Sequence, residues 1–186
     1  ALCDDNHVGG QSVHKYDLTN KQWVSAAGAL TDISATFYND NEYVWGVNTN
    51  DTIFYKQNNG AWTVKGGLLK LVAANHSGDI FGINAEHNAF KAPFFGDWIY
   101  KVDTDDSANL KSMKQIVSYD SVESGDESLY GLDHNGNVFW LTNPKDYPTG
   151  TGGGEWKQIE GLSNIKSIAL FGGWLVIVDE SGEVVK

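Results

Sequence analysis

The stretch YVWGVNTNDTIFYK, residues 43–56, is the most informative run in the chain. It consists of an apolar segment, a polar tip rich in turn-forming residues, and a second apolar segment. Apolar runs of this length on either side of an Asn/Asp tip predict a β-hairpin. One hairpin is compatible with many folds, so the fold depends on whether the pattern recurs along the chain.

The hairpin pattern does recur. DIFGINAEHNAFKA (79–92) and SLYGLDHNGNVFWL (128–141) repeat it, WLVIVDESGEVVK (174–186) is a weaker copy, and residues 1–17 look like a fifth. Equivalent positions lie 36 to 49 residues apart, at Cys3, Gly46, Gly82, Gly131 and Val176. A period of about 40–50 residues in a strand-rich sequence predicts a β-propeller built from four-stranded blades.

A second element precedes each of the four later hairpins. A tryptophan opens one strand and a short apolar run forms the next; Trp23, Trp62 and Trp156 occupy matching positions, and the copy that follows Trp98 is stretched. We therefore predict one all-β propeller domain over residues 1–186, with about five blades. It comprises an N-terminal half-blade and four full repeats, at approximately 1–18, 19–58, 59–96, 97–145 and 146–186. Six blades are the alternative if missing strands or partner strands complete the ring.

Composition and charge narrow the function. The formal net charge is −11 and Lys plus Arg total only 13, which argues against nucleic acid as a partner. No apolar run approaches the ~20 residues of a membrane span, so membrane insertion is not expected. The chain starts at Ala1 rather than Met, which indicates a processed chain or a fragment. Neutral ligands such as sugars are compatible with this charge.

The two elements together carry a family resemblance. The pattern W-x-x-x-x-G-x-L-x-x-I (Trp23, Gly28, Leu30, Ile33), followed by VWGVNTNDTIFYK, is similar to the tectonin repeat. That family includes tachylectin-like and fish-egg lectins. The resemblance implies non-catalytic carbohydrate binding, often to microbial or cell-surface glycans in innate immunity, agglutination or cell recognition. Some tectonin-repeat domains instead bind proteins inside cells. The insertion after Trp98 and the Val176 substitution depart from the pattern.

The polar tips are the predicted ligand contacts. Amide, carboxylate and imidazole groups can donate to or accept from sugar hydroxyls, and one tip per blade would give several weak sites that act together. The alternative is that these residues only form the turns. The predicted tip contacts are Asn48, Asn50, Asp51, Asn84, His87, Asn88, Asp133 and Asn135.

Tryptophans supply the predicted apolar contacts. Trp45 is repeated as Phe81 and Tyr130, whereas Trp98 and Trp140 are less regularly placed, and all three tryptophans are predicted to contact ligand. Packing in the core is the alternative for Trp45, whereas Trp23, Trp62 and Trp156 are predicted to pack between blades. A repeated aromatic ring can also be a flat platform for a sugar.

Catalysis, metals and cofactors are not expected. The five histidines and the single cysteine form no zinc-binding pattern, and no nucleophile motif or phosphate loop is present. The pair Asp105 and Asp106 is predicted to solvate a loop. The leading hypothesis is a lectin for neutral or O-substituted glycans, secreted or at the cell surface, with a cytoplasmic location as the alternative. A propeller that binds protein without sugar is the second hypothesis.

Two further predictions concern the surface. An open blade edge exposes unpaired backbone groups, which favours homo-oligomers. The triplets Asn50-Asp51-Thr52 and Asn75-His76-Ser77 match the N-glycosylation sequence, a pattern that also occurs by chance where turns are rich in these residues.

Overall fold

The computed structural model describes residues 1–98, 100–101, 113–120, 127–141, 154–171 and 173–185. Every regular element among them is a β-strand, and the strands form five antiparallel sheets. The predicted all-β propeller is thereby confirmed, while the number of blades in the complete ring stays a prediction. Asp105 and Asp106 lie outside the described residues. No helix in the described ranges has the length and apolar character that a membrane span needs.

The sheets follow one another along the chain. Sheet 1 contains β1 (Leu2–His7), β2 (Gly10–Asp17) and β3 (Gln22–Leu30). Sheet 2 contains β4 (Asp32–Tyr38), β5 (Asn41–Val47), β6 (Thr52–Gln57) and β7 (Thr63–Leu68). Sheet 3 contains β8 (Leu71–Ala74), β9 (Asp79–Ile83), β10 (Ala89–Pro93) and β11 (Tyr100–Lys101). Sheet 4 contains β12 (Met113–Asp120), β13 (Glu127–Asp133), β14 (Val138–Leu141) and β15 (Trp156–Gln158). Sheet 5 contains β16 (Ile165–Phe171), β17 (Trp174–Asp179) and β18 (Val184–Val185).

The sheets are offset by one strand from the sequence repeats. The sequence predicts that each repeat begins with its tryptophan strand, but β3, which contains Trp23, pairs with β2 of the preceding hairpin. β7 in the same way pairs with β6 and is the fourth strand of sheet 2. One sequence repeat therefore spans two sheets, and residues 1–18 belong to a three-stranded sheet with β3. Among the described strands, sheet 1 has no counterpart of β4.

The hydrophobic core lies between neighbouring sheets. The first strands β4, β8, β12 and β16 contact one another in sequence, so they line the inside of the propeller. Three clusters fill the spaces between sheets 2 and 3, 3 and 4, and 4 and 5; their largest buried side chains include Trp45, Ile53, Phe81, Leu129, Leu132 and Ile168. Burial of this apolar surface is the main force that holds the sheets together.

Side chains of one first strand satisfy the backbone of the next. Asp32 Oδ2 accepts from the Val72 N–H at 2.8 Å, and Ser34 Oγ accepts from the Ala74 N–H at 3.0 Å. Gln115 uses both ends of its amide, accepting from the N–H of Ile168 at 3.0 Å and donating to its carbonyl at 2.8 Å. Edge groups that would otherwise be buried without partners are therefore paired between blades.

The Asp32 carboxyl makes stability depend on pH. Burial raises its pKa from 3.8 to about 6, although the N–H groups of Val72 and Ile33 oppose the shift. The folded chain therefore holds this proton more tightly than the unfolded chain. The contribution to the free energy of unfolding is largest below about pH 4, falls as the pH rises to about 6, and is constant above that.

Replacing Asp32 with Asn should remove this dependence. The amide oxygen keeps an acceptor for Val72, so the variant is expected to be more stable than wild type at pH 7, by on the order of 2 kcal/mol. Urea unfolding of both proteins at pH 4, 5, 6 and 7 measures the difference. A difference that does not shrink on acidification would contradict the assignment of this proton to Asp32.

Candidate functional site

Four hairpin tips share one turn geometry. In each, an Asn or Asp side-chain oxygen accepts from the backbone N–H four residues later; the acceptors are Asn48, Asn84, Asp133 and Asp179. The distances lie between 2.7 and 3.0 Å. The tips are therefore built by local side-chain to backbone hydrogen bonds, which Asn and Asp form readily.

This geometry engages three of the predicted ligand contacts in turn hydrogen bonds, and their contact with ligand stays a prediction. The Oδ1 atoms of Asn48, Asn84 and Asp133 are occupied by turn amides. Asp133 is only 3 % exposed, and its Oδ2 accepts from the side chain of Asn137 at 2.9 Å. The sequence could not separate turn formation from ligand contact because both use the same side chains.

The remaining tip residues lie around these turns. Asn50 and Asn135 are exposed, and Asn88 contributes its N–H to a turn. Asp51 has a φ of 62° and pairs with Lys70 at 2.7 Å, so its carboxylate ties the tip to the segment between β7 and β8. His87 has a φ of 66° at the equivalent turn position.

His87 should tolerate glycine. Gly136 and Gly182 occupy the same turn position in later tips, with φ of 79° and 86°. Glycine adopts this conformation without a Cβ clash, so His87→Gly is expected to leave the free energy of unfolding unchanged or raise it, by up to about 1 kcal/mol. Thermal unfolding measures the effect. A loss of ligand binding in the folded variant would support the prediction that His87 contacts ligand.

Trp45 is a core residue. Its side chain has no exposed surface, stacks on Tyr55 with ring centroids 4.8 Å apart, and lies 5.2 Å from Phe94. The prediction that Trp45 contacts ligand is therefore wrong, and the packing alternative holds. Trp140 is 42 % exposed on β14, where it pairs with Tyr130 and Lys157, and it lines none of the cavities described below.

Two pockets between neighbouring sheets repeat each other. The pocket between sheets 1 and 2 has a volume of about 230 Å³, and the pocket between sheets 2 and 3 about 220 Å³. We call them the first and second inter-sheet pockets. Six lining positions match between them: Gly28 and Gly67, Ala29 and Leu68, Leu30 and Leu69, Asn48 and Asn84, Phe54 and Phe90, Trp62 and Trp98.

The two tryptophans are held in the same way. Trp62 Nε1 donates to the Ala27 carbonyl at 2.8 Å, and Trp98 Nε1 donates to the Gly66 carbonyl at 2.7 Å. Trp98 is therefore a regular member of the repeat, contrary to its irregular place in the sequence. It lines a pocket, as a ligand contact must, and it also joins two sheets.

A glycine behind each tryptophan allows this close approach. A Cβ at Gly28 would lie 2.8 Å from Trp62 Nε1, and one at Gly67 would lie 3.0 Å from the Trp98 ring. Each indole also has a lysine near its face: Lys56 Nζ is 5.4 Å from the Trp62 centroid and Lys65 Nζ is 5.6 Å from the Trp98 centroid. These contacts fix the plane of each ring at the pocket wall.

The polar groups of the two pockets differ. The Asn48 Nδ2 donates to no acceptor among the described residues, so the first pocket offers an open donor. In the second pocket, Asn84 Nδ2 donates to Glu86 Oε2 at 2.5 Å. The first pocket is therefore better prepared to bind a hydroxyl or carbonyl oxygen of a ligand.

Phe54 and Phe90 were missed from the sequence. Both follow the tip by a few residues and face the pockets, and their matching positions in the repeat are the signal that could have found them. Trp62 was expected to pack between blades, with a ligand platform as the alternative. It does pack against Gly28, and it lines the first pocket as well.

Two larger cavities lack a repeated counterpart. One of about 460 Å³ lies between sheets 1 and 2 and is lined by Val13, Trp23, Ile33, Phe37 and Val44, beside the place where sheet 1 has no counterpart of β4. Its lining is mainly apolar, and it lacks the residue pattern that the two inter-sheet pockets share. The repeated pair is preferred as the candidate site because the same residue types recur in both pockets.

The second large cavity, of about 480 Å³, surrounds Lys65 and Trp98. Lys65 Nζ donates to the carbonyls of Phe94 and Gly96, and burial lowers its pKa although Asp97 opposes the shift. The ammonium is thus already engaged by protein carbonyls. In the parts of the chain that the structure describes, no group of three acidic, His or Cys side chains is arranged to hold a metal ion.

Part of the chain is similar to known proteins. The Tectonin domain profile matches residues 6–95. Fish-egg lectin from the carp Cyprinus carpio is 29 % identical over 104 residues, which cover 48 % of this chain and 42 % of that protein. The chain therefore spans less than half of the length of this relative.

A solved structure supports the fold. A protein of unknown function from Bacteroides thetaiotaomicron superimposes with a TM-score of 0.55 at 13 % identity, covering 94 % of this chain and 51 % of that one. The residues that line the inter-sheet pockets lie within the matched residues 6–95, apart from Trp98. Residues 6–95 are therefore similar to the Tectonin domain, as the repeated sequence pattern predicts.

Proposed function

We propose that the chain is a lectin that binds carbohydrate without chemical turnover, through the first and second inter-sheet pockets. One observation carries the proposal: the same six positions build both pockets, with an indole wall, a second aromatic ring and a tip asparagine. The name of the carp relative, fish-egg lectin, supports it. A flat indole can pack against the apolar C–H face of a sugar ring, while a polar side chain meets its hydroxyls.

The pocket volumes limit the ligand. About 220–230 Å³ is below the ~300 Å³ at which pockets for drug-sized ligands begin, so each pocket fits a single sugar unit. The ligand is a neutral or O-substituted sugar, since the net charge of −11 repels anionic chains. Single-unit contacts are weak, and two pockets acting together on one glycan surface raise the apparent affinity.

Binding in this form suits surface glycans. We propose a secreted or cell-surface location, which the name of the carp relative favours. Agglutination and a role in innate immunity would follow if the pockets, or copies joined through the open edge of sheet 1, engage two cells at once. Light scattering of the purified chain tests the oligomer.

A glycan array followed by calorimetry on the best sugar tests the proposal. Wild type is expected to bind two sugar units per chain, Trp62→Ala and Trp98→Ala one each, and the double variant none. In each variant, the affinity of the altered pocket for the sugar should fall by about tenfold or more, which corresponds to about 1.4 kcal/mol. Trp140→Ala is the matched control, because this tryptophan is exposed and lies outside both pockets.

Folding must be checked beside binding. Trp62→Phe and Trp98→Phe keep an aromatic face and should retain part of the affinity that the alanine variants lose. If the tryptophans only pack between sheets, the variants should have lower melting temperatures, and the Phe and Ala variants should not differ in sugar affinity. A folded wild-type chain that binds no glycan contradicts the proposal. Capture of a protein partner that free sugar does not displace would favour the protein-binding alternative.

A further inference from the structure

The two N-glycosylation triplets lie in opposite environments. Asn50 is exposed at the tip between β5 and β6; its backbone N–H donates to Asn48 Oδ1 at 3.0 Å, and its side-chain amide makes no hydrogen bond to the described residues. Asn75 is 3 % exposed in the turn between β8 and β9. Its Oδ1 accepts from the Asp79 N–H at 3.0 Å.

An N-linked glycan is attached to the side-chain nitrogen Nδ2, so the exposure of this atom decides whether a folded chain can carry the glycan. In Asn75 this atom, Nδ2, is fully buried and has no hydrogen-bond partner among the described residues. The surrounding turn is closely packed, since a Cβ at Gly78 would lie 2.6 Å from the Tyr38 ring. A bulky, hydrated glycan cannot leave the protein from such a position.

The modification itself is a group transfer. The Asn Nδ2 attacks C1 of the first sugar of a lipid-linked oligosaccharide, the C1–O bond to the lipid diphosphate breaks, and Nδ2 loses one proton. The lipid diphosphate is the leaving group, and no oxidant or reductant is needed. The transfer acts on the nascent chain before folding, so both triplets are open to it at that stage.

We propose that, when the chain passes through the secretory pathway, the folded protein carries an N-linked glycan on Asn50 and none on Asn75. A chain modified at Asn75 cannot close the packing of sheet 2 against sheet 3, and it is retained as unfolded protein. Asn50 lies outside the core, so its modification leaves the fold intact. The inference does not depend on sugar binding, because neither asparagine lines an inter-sheet pocket.

Secretion of the full chain from a eukaryotic cell tests the proposal. The secreted protein is treated with peptide N-glycosidase in ¹⁸O water, which converts each glycosylated Asn to labelled Asp, and peptides are read by mass spectrometry. Label is expected at position 50 in most secreted molecules and at position 75 in none. The retained intracellular fraction, digested in the same way, should be enriched in label at position 75.

Two variants sharpen the result. Asn50→Gln should abolish the glycosidase-dependent mobility shift, and Ser77→Ala, at an exposed residue, should leave it unchanged. Both variants should unfold at the same temperature as wild type when made without glycosylation. Secreted protein without label at position 50, or folded secreted protein labelled at position 75, overturns the proposal.

Discussion

Trp45→Ala is expected to lower the free energy of unfolding by about 3–5 kcal/mol, the range for removing a fully buried tryptophan. Trp45 has no exposed surface, stacks on Tyr55, and contacts the cluster that joins sheets 2 and 3. Because single domains are stable by only about 5–15 kcal/mol, this one change removes a large part of the total. Urea unfolding followed by circular dichroism measures the loss.

Trp45→Phe is the matched control. The equivalent positions in the next two sheets carry Phe81 and Tyr130, so the site accepts a smaller ring. Trp45 Nε1 is buried without a hydrogen-bond partner among the described residues, and phenylalanine removes that unpaired donor. The phenylalanine variant should therefore lose less than about half as much stability as the alanine variant. An alanine variant of wild-type stability that loses sugar binding would return Trp45 to the ligand site.

The hairpins could be predicted because their signal is local. Residues 43–56 contain both strands and the turn between them, and the structure pairs Val44 with Lys56 and Trp45 with Tyr55 within this stretch. The recurrence of the pattern then indicates the propeller, since one hairpin cannot bury both of its faces. Local pattern and repetition together were sufficient for the fold class.

The division of the chain into sheets could not be predicted in the same way. The strand that contains Trp23 pairs with the preceding β2, and its neighbour β4 starts the next sheet two residues after β3 ends. The sequence of a strand does not show whether the strand pairs with the preceding or the following strand, because the hydrogen-bonding groups are those of the backbone. The repeat period is the same for either choice.

The site was only partly predictable. Asn48, Asn84 and Trp98 were predicted as contacts, and all three line the inter-sheet pockets. The asparagine oxygens, however, are used by the turns, and the pockets arise where separate sheets meet. A pocket formed by a glycine of one sheet and a tryptophan of the next depends on packing, which the order of residues does not display.

Repeated glycines in the hairpins have a packing function. Leu30 lies against Gly46, Leu69 against Gly82, and a Cβ at Gly82 would be 2.1 Å from Leu69 Cδ1. Met113 occupies the corresponding place at Gly131, where a Cβ would be 2.7 Å from its sulfur. Each glycine thus leaves room for a large side chain that lies just before, or at the start of, the first strand of the same sheet. This packing explains the glycine of the aromatic-Gly pairs in the sequence.

Substitutions in one such pair should be strongly coupled. Leu69 is 3 % exposed, so Leu69→Ala is expected to cost about 2–5 kcal/mol through the cavity it leaves. Gly82→Ala adds a methyl group into filled space and should cost about 1–3 kcal/mol. In the double variant the new methyl occupies part of the cavity, so its cost should fall below the sum of the two single costs by about 1 kcal/mol or more.

Urea unfolding of the four proteins measures this cycle, with Gly66→Ala as the control. A Cβ at Gly66 has no neighbour within 4 Å, and its φ is not in the left-handed region, so alanine there should change stability by less than about 0.5 kcal/mol. Strictly additive costs for Leu69 and Gly82 would show that the two residues do not share one space. The aromatic-Gly pairs would then need an explanation in the backbone rather than in packing between blades.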